Sequence, residues 1–147
     1  VDETAYRQAR KAAVGHPCPF EKALLAGCGT CALAQRRNIA EREAVACVDG
    51  VAREACDVLL RLLRRNATFA LHLPHPENRL THAQEMKVQC GGLEGLQRAL
   101  TGAQEVGDVN ALVQAACRSR GSLEDLPYSV IVQSVAAYRT RRRTRQP

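Results

Sequence analysis

Four cysteines near the start of the chain carry the sharpest chemical signal. They stand in His16-Pro17-Cys18-Pro19, Gly27-Cys28-Gly29-Thr30-Cys31 and Ala46-Cys47-Val48, a spacing of Cys-x9-Cys-x2-Cys-x15-Cys. Two cysteines separated by two residues can direct both thiolates at one ion or cluster, and Gly29 lets backbone N–H groups approach the sulfurs. The expectation is a metal centre held by Cys18, Cys28, Cys31 and Cys47, an iron–sulfur cluster of the 4Fe-4S type first and zinc as the alternative. Ala23, Ala26, Gly27, Ala32 and Ala34 surround the pair, and such small residues leave room for a cofactor, though they suit close helix packing equally well.

Geometry tests the fourth ligand. An unbroken helix from Cys31 to Cys47 would separate their backbones by about 24 Å at 1.5 Å per residue, which no single cluster spans. Asn38-Ile39-Ala40-Glu41 has the form of a capping box, so a break at Asn38 would let two shorter helices fold back and bring Cys47 beside Cys31. Without that break Cys90 or Cys56 must replace Cys47, and Cys90, next to Gly91 and Gly92, is the better substitute.

The remaining cysteines have plainer readings. Cys117 lies on an Ala and Val face and reads as a small buried apolar residue, and Cys56 sits beside the apolar stripe of its helix. Zinc would want a second close pair of ligands, which His72, His75 and His82 do not supply; His16, two residues before Cys18, is the histidine to watch. Cys28-Gly29-Thr30-Cys31 also has the form of a thiol–disulfide redox pair. Such pairs usually follow a strand in an α/β fold, and no strand is expected here.

Composition sets the frame for that centre. A chain of 147 residues fits one domain and can bury a core without cross-links. Its aromatic content is 3 %, so the core falls to Leu, Val and Ala, which favours packed helices. No stretch reaches the roughly 20 apolar residues of a membrane span, and no export signal opens the sequence. Seven cysteines in a chain so read point to metal or redox chemistry in the cytoplasm. Were the chain secreted, the same seven would make three bridges and leave one thiol. The net charge of +6 is concentrated at the end, where Arg139 precedes four Arg among residues 141–147. A run of this kind is usually a solvated tail.

The elements that must position the cysteines read as helices. The first covers Thr4 to Val14, and a second runs from about Pro19 to Gly27, leaving Cys18 at its start and Cys28 past its end. Helical patterning continues from Cys28 to Asp49. The clearest helix is Val51 to Asn66, apolar at Val51, Ala55, Val58, Leu59, Leu62 and Leu63. A Pro and His loop over 71–79 follows. Thr81 and Gln84 then resemble a capping box, and Cys90-Gly91-Gly92 marks a kink or a close approach. Val109 to Cys117 forms another helix, and a last one begins near Ser122 or Glu124. The expected fold is all-α: a single compact helical domain of five to seven helices over 1–138, with a basic tail over 139–147.

Functional expectations follow from the cysteines. No Walker loop, dinucleotide fingerprint, nucleophile elbow or His-Glu-x-x-His helix is present, so no catalytic residue is assigned and a non-enzymatic protein is expected. The first reading is a small iron–sulfur protein in electron transfer, cluster delivery or redox sensing, whose basic surface suits a redox or assembly partner with an acidic face. The alternative is a structural or adaptor subunit of a larger assembly, its cysteines zinc-bound or buried. Nucleic-acid binding is a minor reading, because the arginines suit phosphates while the aromatic platforms that stack on bases are scarce.

Overall fold

Apolar residues at three- and four-residue intervals build the longest element, helix α3 (Gly50–Ala70), which buries Cys56, Leu59, Leu60, Leu62, Leu63 and Ala67 on one side. Asp49 starts it by accepting from the Val51 and Ala52 amides. The structure, a computed structural model, describes residues 3–13, 15–72 and 79–139, with backbone only at 10–13.

Before α3 come α1 (Glu3–Ala13), α2 (Glu21–Leu25) and two antiparallel strands, β1 (Ala34–Ile39) and β2 (Arg42–Cys47). After it come α4 (His82–Met86), a π-helical turn (Lys87–Gly91) and α5 (Gly92–Thr101), which form one helical run. Then follow α6 (Val109–Arg120), a 3₁₀ turn (Leu123–Asp125) and α7 (Tyr128–Ala137). The protein is mostly helical with a small two-stranded sheet, and so is not purely all-α.

The sheet replaces the helical hairpin expected between Cys28 and Asp49. Asn38 caps nothing; it pairs with Glu43 inside the hairpin. The chain reverses at Ala40 and Glu41, both in the left-handed region at φ 51° and 70°, as the tight turn of a twisted hairpin requires. The chain does fold back as that break would have made it, but through strands. Ala34 stands opposite Cys47, which brings Cys47 near the chain that follows Cys31.

Other expectations hold more closely. Thr81 and Gln84 make a reciprocal capping box at the start of α4. The glycines after Cys90 are places of close approach: a Cβ on Gly91 would stand 2.7 Å from Val135 Cα, and one on Gly95 would stand 2.7 Å from the Ile131 carbonyl oxygen. The α4 to α5 run therefore lies directly against α7, and Leu59, Leu63, Leu93, Leu96, Ile131 and Val135 close the core between α3, α5 and α7. Each such side chain contributes roughly 2 kcal/mol when fully buried. The final helix begins at Tyr128, later than expected, because Ser122 caps a 3₁₀ turn and Pro127 stands between that turn and α7. The loop expected over 71–79 falls in part, and the basic tail expected over 139–147 almost wholly, outside the described residues, which omit 73–78 and 140–147.

A smaller cluster of Tyr6, Ile39, Ala44 and Ala46 joins α1 to the hairpin. Arg42 lies over the Tyr6 ring at 4.4 Å and pairs with Glu3 at 3.1 Å. The sheet is thus covered by α1 at one side, and its other attachments lead to the cysteines.

Candidate functional site

Cys18 is placed by the outer edge of β2. Its amide donates to the Val45 carbonyl at 2.9 Å, the Cys47 amide donates to the His16 carbonyl at 2.7 Å, and Pro17 pairs with Ala46. Proline suits an edge of this kind because it has no N–H to leave unpaired. The Glu21 carboxylate accepts from the Val45 amide at 2.7 Å, so the turn after Cys18 is tied to the same strand. Arg53 Nε then donates to the Pro17 carbonyl at 2.8 Å and binds the first turn of α3 to this edge.

Cys31 sits in the loop that enters β1, and its carbonyl accepts from the Ala34 amide at 3.1 Å. Asp108 fixes this loop from outside. One carboxylate oxygen accepts from the Ala32 amide at 2.6 Å, while the other caps α6 by accepting from the Ala111 amide at 2.8 Å. Backbone bonds from Thr30 to Gly107 and from Val109 to Thr30 complete the attachment. Cys47 ends β2, with its Sγ donating to the Asp49 carbonyl at 3.2 Å. Cys56 faces the core from the second turn of α3, 8 % exposed.

These thiols influence one another electrostatically, and Cys117 acts on Cys56 as well. Burial pushes the Cys18 thiol up to about 11, and negative charge on Cys31 and Cys47 adds to the rise. Cys56 is pushed up to about 12, first by burial and then by charge on Cys18, Cys31, Cys47 and Cys117. Both are therefore protonated at neutral pH. Any cation that binds them must displace protons, so its affinity rises with pH. Among the described residues, no three Cys, His, Asp or Glu side chains stand at metal-binding separation.

Cys28 is placed differently. It is bonded to Cys90 across 62 residues of sequence. A half-cystine offers no thiolate, so while this bond stands neither Cys28 nor Cys90 is free to act as a ligand. The physical reason lies in how α2 meets the π turn. Gln89 is buried; its Oε1 accepts from the Ala23 amide at 3.0 Å and its Nε2 donates to Glu85 at 2.8 Å. Glu85 in turn accepts from Arg64 of α3 at 2.6 Å. The end of α2 is fastened to the π turn by this chain of polar groups, and the Cys28 amide donates to the Ala23 carbonyl at 2.9 Å. Cys28 is left beside Cys90 in consequence.

Of the four residues singled out from sequence, Cys18, Cys31 and Cys47 are free thiols and Cys28 is bonded to Cys90. Cys56 is a further free thiol, and its sequence signal was the short interval of eight residues after Cys47 with a helix start between them. Cys117 is only partly buried and packs against the core edge. Of the histidines, His82 meets Lys22 at 3.1 Å, and His16 contributes its backbone carbonyl to the Cys47 amide. No helix among the described residues is long and apolar enough to cross a membrane. No known protein family matches this chain, and neither a curated protein nor a solved structure is similar to it.

Proposed function

We propose that the protein binds a thiolate-ligated metal centre, an iron–sulfur cluster, and serves in electron transfer, cluster delivery or redox sensing. The observation that carries this reading is the mutual electrostatic influence of Cys18, Cys31, Cys47 and Cys56, which stand on a segment bridged to β2, a loop, a strand end and a helix. Their sulfurs would have to close up to share a centre, because among the described residues they do not stand at metal-binding separation. Four thiols of this kind match the usual complement of a [2Fe–2S] or [4Fe–4S] cluster. The proposed ligand set keeps three of the residues expected from sequence and replaces Cys28 with Cys56. Cys18, Cys31 and Cys47 are partly exposed, which suits a centre that exchanges electrons or its cluster with a partner. Exposed Arg36 and Arg37 on β1 fit a partner with an acidic face. The proposal places the protein in the cytoplasm, where the four thiols remain reduced.

Anaerobic reconstitution with ferrous iron and sulfide tests the reading. Bound iron and sulfide in matching amounts, with the visible absorption of a cluster, are expected for the full chain. Cys18→Ser, Cys31→Ser, Cys47→Ser and Cys56→Ser should each abolish or strongly weaken binding, whereas Cys28→Ser should keep it. A colourless chain supports instead a structural or adaptor subunit with zinc-bound or buried cysteines, a second reading whose buried-cysteine form is favoured by the burial of Cys18 and Cys56. A chain that takes up neither metal sinks the metal-centre reading and leaves the subunit with buried cysteines.

A further inference from the structure

The Cys28–Cys90 bond joins two sulfurs with unequal surroundings. Cys90 is fully buried in the π turn, packed with Leu and Val side chains of the core. Cys28 is partly exposed and lines an open cleft of about 540 Å³ together with Met86, Glu94, Glu105, Tyr138 and Arg139. The Tyr138 hydroxyl lies 3.4 Å from Cys28 Sγ, and because a disulfide sulfur carries no proton the hydroxyl is the donor. The bond thus has one residue on the cleft, Cys28, and one buried in the core, Cys90. The cleft is large enough for a small molecule and is edged by carboxylates and a guanidinium, groups that would orient a polar, zwitterionic ligand.

We propose that Cys28–Cys90 is a thiol–disulfide exchange site for low-molecular-weight thiols, with Cys28 as the exchanging sulfur and Cys90 as the buried leaving and resolving sulfur. In the forward direction a small thiolate attacks Cys28 Sγ. A new S–S bond forms between them, the Cys28–Cys90 bond breaks, and its electron pair leaves on Cys90, which takes up the proton the incoming thiol released. A second equivalent of the small thiol attacks the outer sulfur of the mixed disulfide. Cys28 leaves with the electron pair and a proton, and the two small thiols depart joined as their own disulfide. The protein gains two electrons and two protons, and the small thiols lose them. Tyr138 faces the sulfur on which charge collects in the second step, where a hydroxyl donor favours the leaving thiolate. The π turn also suits the site, since such turns interrupt α-helices most often where function requires it.

This inference stands apart from the metal centre, because neither bonded sulfur belongs to the proposed ligand set. Reduced glutathione is the probe, used on the folded full chain with peptide mapping to read each cysteine. The native bridge should open at least about tenfold faster than the chain unfolds globally, through a glutathione adduct on Cys28. In Cys90→Ser, oxidised glutathione should leave a stable adduct on Cys28. In Cys28→Ser, Cys90 should acquire one only after unfolding in urea. Opening no faster than global unfolding, or an adduct on Cys90 in the folded chain, overturns the proposal. The wild-type rate decides the matter by itself if either variant fails to fold.

Discussion

The chain uses cysteine in two regions, and the backbone beneath each sulfur separates their chemistry. Cys18, Cys31, Cys47 and Cys56 stand on a segment bridged to β2, a loop, a strand end and the second turn of α3, stitched together by hydrogen bonds such as Arg53 to the Pro17 carbonyl and the Ala32 amide to Asp108. Cys28 and Cys90 stand where α2 meets the π turn, locked by the buried Gln89, Glu85 and Arg64 chain and by glycines pressed against α7. The first scaffold gathers thiols without joining them. The second holds two sulfurs in a single arrangement, and a covalent bond results. Residue type alone does not distinguish the regions, because Cys28 and Cys31 are only three positions apart.

The largest test of this contrast is alkaline pH. In the metal-free, reduced quartet, Cys18 and Cys56 are raised from 9.0 to about 11 and about 12. The folded state then holds protons that the unfolded chain gives up above about pH 9. Their contribution is present in full below that pH and is lost as pH climbs toward 11 and 12. The urea midpoint should fall steeply above about pH 9, and a Cys18→Ala, Cys56→Ala double variant should flatten that fall. A midpoint unchanged between about pH 8 and about pH 10 would contradict the burial of Cys18 and Cys56. The bonded pair does not titrate and should add nothing.

The next test strikes the bonded region. Gly91→Ala places a methyl 2.7 Å from Val135 Cα and 2.9 Å from the Ser134 carbonyl oxygen, and should cost about 3 kcal/mol in chemical denaturation. Metal content per folded molecule should not change. A smaller effect is expected where the regions touch. Asp108→Ala removes the cap of α6 and the bond to Ala32, costing about 2 kcal/mol and quickening metal release to a chelator. Asp108→Asn, which can still cap, should cost less. The smallest change should stabilise: Ala40→Gly relieves a left-handed residue in the hairpin turn and should gain about 1 kcal/mol, a rise in Tm of about 2–4 °C.

The helices were legible because their signals are local. The stripe of α3, the Thr81 and Gln84 box, and the glycines after Cys90 each follow from residues within a turn or two. The hairpin was not. Gln35, Arg36, Arg37 and Asn38 are all exposed, so β1 shows no alternation, and its turn uses Ala40 and Glu41 where Gly or Asn would announce it. The site divides in the same way. Cys31 and Cys47 could be brought near one another by asking how the chain must reverse between them. The Cys28 bond to Cys90 depends on Gln89 reaching Ala23 across 66 positions, a contact no local pattern encodes. Cys56 reads as one more core residue until α3 is seen to start beside Cys47.

The covalent bond also encloses part of the other region. Cys31, Cys47 and Cys56 all fall within the 62-residue span that Cys28 and Cys90 close, and Cys18 alone lies outside it. Closing a loop of that length removes about 4 kcal/mol of conformational freedom from the unfolded chain on the chain-entropy account. Three of the four thiols consequently search for one another inside a tethered ring, and they stay within reach even when the strands and helices that present them have melted. Opening the bond frees them to drift the length of an unconstrained coil. The bond is therefore a leash on the quartet's assembly, one that acts on the unfolded chain and leaves no trace among the contacts of the folded one.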